Sequence, residues 1–242
     1  MSKKIIYLAL ALSLVLAACS GGGGDATAPD GTTTSDGTTS GGTTTTTIDG
    51  STITPVTTTC TPAPALPSQY SRVFKGCDSA GVAQYYDLTE CVKDNTTGLI
   101  WQGQTAAGTG LRANDQYKTN YDSTTALQKY NGTAYVAPTQ ADIDSSTNSI
   151  GFKNAINATN LCGSGAWRLP TKVELLGIVK TSESPTIDNA WFPNSRNWYY
   201  WTSSPYAGAA ARAWDVNFDN GNDGSDDRGD IHGDDAVVRL VH

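Results

Sequence analysis

The sequence predicts one α+β domain over residues 69–242, carried at the end of a long unstructured tether. Three observations predict it. All six tryptophans lie beyond residue 100, so the bulky apolar groups that build a core are confined to the C-terminal part of the chain. Short runs of strand-forming residues stand at both ends of that part. Between them, two stretches carry helical spacing together with helix-terminus signals. Roughly 170 residues are enough for one core and thin for two.

Residues 1–18 read as a processing signal. Lys3 and Lys4 precede an uncharged apolar run over 5–18, the layout of a secretory signal and too short for a comfortable membrane span. The run ends in Leu16-Ala17-Ala18-Cys19-Ser20, which resembles a bacterial lipobox. Cleavage before Cys19 would leave this residue acylated on its sulfur and on its new amine, and several acyl chains hold a bilayer far more firmly than one. Cys19 is therefore the expected lipidation site. Ser20, in place of an acidic residue, points to the outer membrane by the sorting rule of such lipoproteins. The alternative is an ordinary cleaved signal in which Cys19 falls at this place by chance.

Residues 19–68 form the expected tether. Positions 20–59 hold 16 Thr and 9 Gly with no Lys, Arg, Phe, Trp or Tyr, so they cannot bury a core. A coil of this length has an end-to-end distance of roughly 35 Å. Charge narrows the partners further. The chain carries a net charge of −7, and loss of Lys3 and Lys4 would make it more acidic. Phosphate recognition runs on clustered Lys and Arg, and none is clustered here. Nucleic acid is thus not an expected partner, and the membrane is reached only through the lipid at Cys19.

Four cysteines remain, Cys60, Cys77, Cys91 and Cys162. An even number in an exported chain predicts two disulfides. Three connectivities are open; the favoured one pairs Cys60 with Cys77, closing a short loop, and Cys91 with Cys162, tying the start of the domain to its middle. No CxxC occurs, and His232 and His242 are the only histidines, so no zinc cluster is expected.

Within the domain, 85–88 and 90–93 read as short strands, and Asp94-Asn95-Thr96-Thr97-Gly98 is a turn into Leu99-Ile100-Trp101, which makes a hairpin. Residues 103–140 show no sustained period and are expected to be mostly irregular. Phe152, Ala155, Ile156 and Thr159 at helical spacing predict a helix over 150–161 that stops at Gly163. Thr171 and Glu174 form a capping box in front of Leu175-Leu176-Gly177-Ile178-Val179, the firmest helix signal in the chain. Residues 199–203, 213–218 and 236–241 read as strands. Trp101, Trp167 and Trp214 are expected in the core. Strand alternation puts Tyr199 and Trp201 on one face and Trp198 and Tyr200 on the other, one pair buried and the other partly exposed.

Residues 219–235 are expected to be a long loop. Seven of the seventeen are Asp, and all but Arg228 are Asp, Asn, Gly, Ser, Ile or His. Loops of this length on a rigid scaffold are commonly functional. Its candidate ligand-binding residues are Asp219, Asn222, Asp223, Ser225, Asp226, Asp227, Asp230 and His232, joined by Asp215 and Asn217 from the strand before it. Asn194, Arg196, Asn197, Trp198, Tyr200 and Tyr206 supply an aromatic and polar surface that suits stacking on sugars or anchoring a protein partner. Asp219, Asp223, Asp227 and Asp230 fall at positions 1, 5, 9 and 12 of an EF-hand-like loop, a weak calcium candidate because Gly221 occupies position 3. Arg228-Gly229-Asp230 also spells an integrin-type tripeptide.

The blocks Cys91-Val92-Lys93-Asp94-Asn95-Thr96-Thr97-Gly98-Leu99-Ile100-Trp101, Leu161-Cys162-Gly163 with Trp167-Arg168-Leu169-Pro170-Thr171, Tyr200-Trp201-Thr202-Ser203-Ser204-Pro205-Tyr206, and Val238-Arg239-Leu240-Val241 resemble, in this order, the Lcl C-terminal domain family, from about residue 85 to the end. The resemblance implies a C-type-lectin-like fold, shared with formylglycine-generating enzymes, and a ligand-binding role that includes sulfated glycans. The acidity of this chain departs from the basic surface that sulfated glycans need. Related adhesins trimerise through collagen-like repeats, and with no such repeat here a monomer is expected. The composition of 219–235 also resembles the variable region of diversity-generating retroelement targets, its sixteen Asp, Asn, Gly, Ser, Ile and His residues all being reachable by altering the adenines of an Asn codon. The bland alternative is that Asp, Gly, Asn and Ser form loops anyway.

No catalytic role is expected. The chain has no Gly-x-Ser-x-Gly elbow, no base beside a Ser or Cys nucleophile, and only Cys162 beyond residue 91, whereas the copper site of formylglycine-generating enzymes takes a cysteine pair. No cofactor is expected either. The sequence thus predicts an outer-membrane lipoprotein whose terminal domain binds a glycan or protein. A structural envelope lipoprotein without a specific ligand, or an enzyme of unknown type, are the alternatives.

Overall fold

The computed structural model describes residues 60–64, 68–108, 110–229 and 236–242. Cys19, Asp230, His232 and the expected tether up to residue 59 lie outside the described residues. The elements in chain order are β1 (Tyr70–Arg72), β2 (Phe74–Cys77), β3 (Ala83–Tyr85), β4 (Cys91–Asp94), β5 (Ile100–Gln102), β6 (Lys129–Tyr130), β7 (Tyr135–Val136), α1 (Gln140–Asp144), α2 (Ser149–Ala158), α3 (Lys172–Leu176), β8 (Tyr199–Pro205), β9 (Arg212–Asn217) and β10 (Asp223–Asp227). The class is α+β, with short antiparallel sheets ordered β1-β4-β5, β10-β9-β8, β2-β3 and β6-β7.

The expected hairpin is present. β4 pairs antiparallel with β5, and the Asp94 amide donates to the Leu99 carbonyl at 2.8 Å across the turn. Gly98 sits there at φ 78°, a left-handed conformation that favours glycine. The 85–88 strand is shorter and earlier than expected, because 88–90 turns back and the Cys91 amide bonds the Asp87 carbonyl. α2 confirms the predicted helix, although it ends at Ala158.

α3 has its full capping box: Thr171 Oγ1 accepts from the Glu174 amide at 3.2 Å and Glu174 Oε2 accepts from the Thr171 amide at 2.7 Å. The helix is shorter than the sequence suggested. It stops at Leu176, with Gly177 as its C-cap, and β-branched Val179 instead forms a bridge with Ile187. α1 was not anticipated, although Thr139 and Asp142 form the same capping box.

Both disulfides pair as favoured, Cys60 with Cys77 and Cys91 with Cys162. The second fastens the buried β4 to the turn after α2.

The expected C-terminal strand is a run of buried residues that changes partner. Val237 pairs in parallel with Tyr200 of β8, and Val241 pairs antiparallel with Trp101 of β5. The Gln102 amide donates to the Leu240 carbonyl at 2.9 Å, and the Trp201 amide to the Val237 carbonyl at 3.0 Å. This run therefore stitches the two three-stranded sheets together. With a strand on either side, β8 is interior and packed on both faces. Tyr200 joins Val92, Trp101, Leu175, Phe192, Val216 and Phe218 in one core cluster. Trp201 joins Cys91, Phe152, Ile156, Trp167 and Leu240 in the other. The expected split of one buried and one exposed aromatic pair is thus overturned: Tyr200 and Trp201 are both buried, and Trp198 and Tyr199 are both half-buried. Trp101 and Trp167 are core, whereas Trp214 is only half-buried.

Candidate ligand-binding face

The stretch expected as one long loop is a hairpin in its first part. Residues 218–222 turn, and β10 then pairs antiparallel with β9 in the register Asp223↔Val216, Ser225↔Trp214 and Asp227↔Arg212. Paired residues share a face, so Asp223, Ser225 and Asp227 lie on the same side as Trp214. Gly221 at φ 79° makes the turn.

β8 bulges between Trp201 and Pro205, and the bulge receives the start of α3. Ser204 Oγ accepts from the Lys172 amide at 3.0 Å, and the Pro170 carbonyl accepts from the Ser203 amide at 2.8 Å. Lys172 is thereby held with its ammonium 3.6 Å from the centroid of the Trp214 ring and 2.9 Å from Asp223 Oδ2. That hydrogen bond holds the Asp223 carboxyl below its ordinary pKa. The Tyr206 ring meets Trp214 edge to face at 5.2 Å, and the Arg212 guanidinium lies 5.6 Å from the Tyr206 ring. Arg212 also stands 3.7 Å from both Asp226 and Asp227 and donates to the Ser225 carbonyl, while Tyr135 donates to Asp227. Each acid of β10 is therefore next to a cation. The result is a half-exposed face on which rings, ammonium, guanidinium and carboxylates alternate.

The remaining predicted residues fall elsewhere. Tyr200 and Asp215 are fully buried, at 1% and 0% exposure, and cannot meet a ligand at the surface. The sequence reading missed this because it took β8 and β9 for strands with one wet face. Asn217 accepts from the Asp219 amide at 2.8 Å, Asn222 bonds across the same turn, and Asp219 is exposed. Asn194 has a left-handed φ of 61° and is tied to Asn114 and Gln104, a structural position. Arg196 lies over the rings of Tyr117 at 5.2 Å and Trp198 at 5.8 Å, beside exposed Asn197. That group sits at the Asn217 end of β9, about 10 Å along the strand from Trp214 by the rise per residue.

The EF-hand reading does not survive. Asp223 and Asp227 stand at opposite ends of one strand, about 13 Å apart by strand rise, and among the described residues no three His, Cys, Asp or Glu cluster to hold a metal. The integrin-type tripeptide fails as well. Arg228 is 4% exposed, with Nη1 at 2.6 Å from the Asn120 carbonyl and 2.8 Å from Asp122, and a Cβ on Gly229 would lie 2.1 Å from Tyr121 Oη.

Lys172 and Arg212 were not anticipated as site residues. The one signal for Lys172 is its place directly after the Thr171 cap. A further concavity of about 470 Å³, lined by Tyr86, Glu90, Leu111, Arg112, Asn160 and Cys162 among others, also escaped the sequence reading. Its volume lies in the range of ligand sites.

These features define a disulfide-tied α+β domain that presents a mixed aromatic and charged sheet face. Residues 90–242 match the model of the Lcl C-terminal domain, and the chain belongs to that family. Membership points to a bacterial surface protein domain. No curated protein and no solved structure matches the chain. Among the described residues, no helix is long and apolar enough to cross a membrane.

Proposed function

We propose that the chain is a lipid-anchored protein of the bacterial outer membrane whose C-terminal domain has a C-type-lectin-like fold and binds a glycan or protein without catalysing a reaction. The observation that carries this reading is the half-exposed group of Tyr206, Trp214 and Lys172 beside Asp223. Ring faces stack on sugar C–H groups or on a partner side chain, and the flanking ammonium and carboxylates fix orientation by hydrogen bonds. Cys19 supplies the anchor, and residues 19–68 the tether that lets the domain stand off the bilayer. Asp223, Ser225 and Asp227 on an outer strand are positions that accept change without disturbing the core, which suits a diversified binding face.

The test is a screen of the full-length protein in non-ionic detergent against glycan arrays and purified surface proteins, with Trp214→Ala and Tyr206→Ala beside it. Affinity is expected to fall about tenfold or more in Trp214→Ala, as for a buried aromatic anchor. Binding that survives both changes and is lost in Leu111→Arg would move the site to the 470 Å³ groove. No binding by a folded protein would sink the proposal in favour of a structural envelope lipoprotein. One observation favours that second reading: each β10 acid already has a cation of the same chain beside it.

A further inference from the structure

Next to the groove, and sharing Leu111 and Arg112 with it, lies a smaller cavity of about 10 Å³. This is room for a single water-sized occupant. Its polar lining residues are Gln102, Gln104, Arg112, Gln116 and Lys118. Gln102, fully buried, lines the cavity. Its backbone amide donates to the Leu240 carbonyl at 2.9 Å, its carbonyl accepts from Arg239 at 2.8 Å, and its Oε1 accepts from the Leu240 amide at 3.0 Å. Nε2 has no acceptor among the described residues. The side-chain amide cannot be turned over to relieve this, because its NH₂ would then face the Leu240 N–H.

Lys118, 6% exposed, lines the same cavity and makes no ion pair with any described residue. Its ammonium lies 5.3 Å from the centroid of the Phe152 ring, another wall. Burial pushes its pKa down, with no carboxylate among the described residues acting in the opposite direction. Arg112 adds a second cation, its guanidinium bonded to the Thr89 and Gly103 carbonyls. No Asp or Glu is among the lining residues.

Lys118 and Gln102 line one small space, and an ammonium and an amide donor left there without an acceptor are costly to bury. An occupant that accepts from both, and carries the charge opposite to Lys118, removes that cost. We propose that this cavity is an internal site for a monatomic anion, chloride in ordinary media, held by Lys118 Nζ and Gln102 Nε2. Sulfate and other polyatomic anions exceed the space.

The test uses the full-length protein in non-ionic detergent. Chloride-35 NMR is expected to show excess line width that bromide displaces and sulfate does not, and the thermal midpoint is expected to rise by a few degrees as chloride replaces gluconate. Lys118→Met should abolish both responses. Gln102→Glu keeps the acceptor for Leu240 and puts a carboxylate in the anion's place beside Lys118, so it should stay folded by near-ultraviolet circular dichroism and lose both responses even if Lys118→Met does not fold. Absence of both responses in the unmodified protein would mean that water fills the cavity and would overturn the proposal. Responses that persist in Gln102→Glu would overturn it equally, since they would then arise elsewhere.

Discussion

Glu174 shows how much one side chain decides. It closes the α3 capping box and also takes both guanidinium nitrogens of Arg168, at 2.8 and 2.7 Å. The Arg168 hydrogen bonds, with the Thr171 amide behind them, hold its carboxyl down to about 2. Asp142 in the α1 box is likewise held at about 2, by Lys129 first and then by the Thr139 amide and hydroxyl. Both values lie below the ordinary carboxylate range. Their stabilisation is therefore complete above pH of about 4.5 and is lost as pH falls towards 2. Thermal melts from pH 6 to pH 2 should show this loss, and Glu174→Gln should flatten part of it. An unchanged slope in that variant would show that Glu174 is not responsible. The same position fixes the candidate face, because the Thr171 cap sets where Lys172 begins its reach over Trp214. Lys172→Met should leave the fold intact, raise the Asp223 carboxyl towards its ordinary value, and be readable by carboxyl-carbon NMR.

At the scale of elements, most helices and strands are three to seven residues long, so covalent ties matter. The Cys91–Cys162 bridge closes a separation of 71 residues and Cys60–Cys77 one of 17. Loop-closure entropy assigns about 4 kcal/mol to the first and about 3 kcal/mol to the second. Denaturant unfolding of Cys91→Ala/Cys162→Ala should therefore show a larger loss than Cys60→Ala/Cys77→Ala; the reverse order would show that native packing outweighs chain entropy. Elements whose signals are local were legible. The turn at Gly98, the helix around Phe152 and the Thr171 cap depend on neighbours within four residues. The Thr139 cap was equally local and was passed over because its helix has too few turns to show a period. β10 was illegible for another reason: Asp223-Gly224-Ser225-Asp226-Asp227 has no strand propensity, and pairing with β9, supported by Lys172 and Arg212, overrides it.

For the whole molecule, the C-terminal run is decisive. It joins β5 to β8 and feeds both core clusters, with Val237 and Val241 in one and Ala236, Val238 and Leu240 in the other. Leu240→Ala should cost about 2–5 kcal/mol in urea unfolding, as for a buried leucine whose cavity cannot collapse. The amides of Gln102, Trp201 and Val237 should be among the slowest to exchange with deuterium, opening only with global unfolding. Fast exchange at Trp201 with slow exchange at Gln102 would mean that the two sheets open separately.

The sequence by itself determined the class, the family resemblance, the even set of four cysteines, the Thr171 helix cap and a core built on Trp101 and Trp167. These depend on composition, spacing and contacts close along the chain. Only the tertiary structure decided which polar and aromatic residues face solvent. Tyr200 is buried because the C-terminal run, more than thirty positions from it, packs against β8 and turns an apparent half-wet sheet into an interior layer. Trp214, by contrast, stays at the surface under Lys172. Side-chain alternation says which residues share a face, but whether that face is covered depends on segments remote in sequence, and the burial of a site residue is therefore a property of the assembled chain.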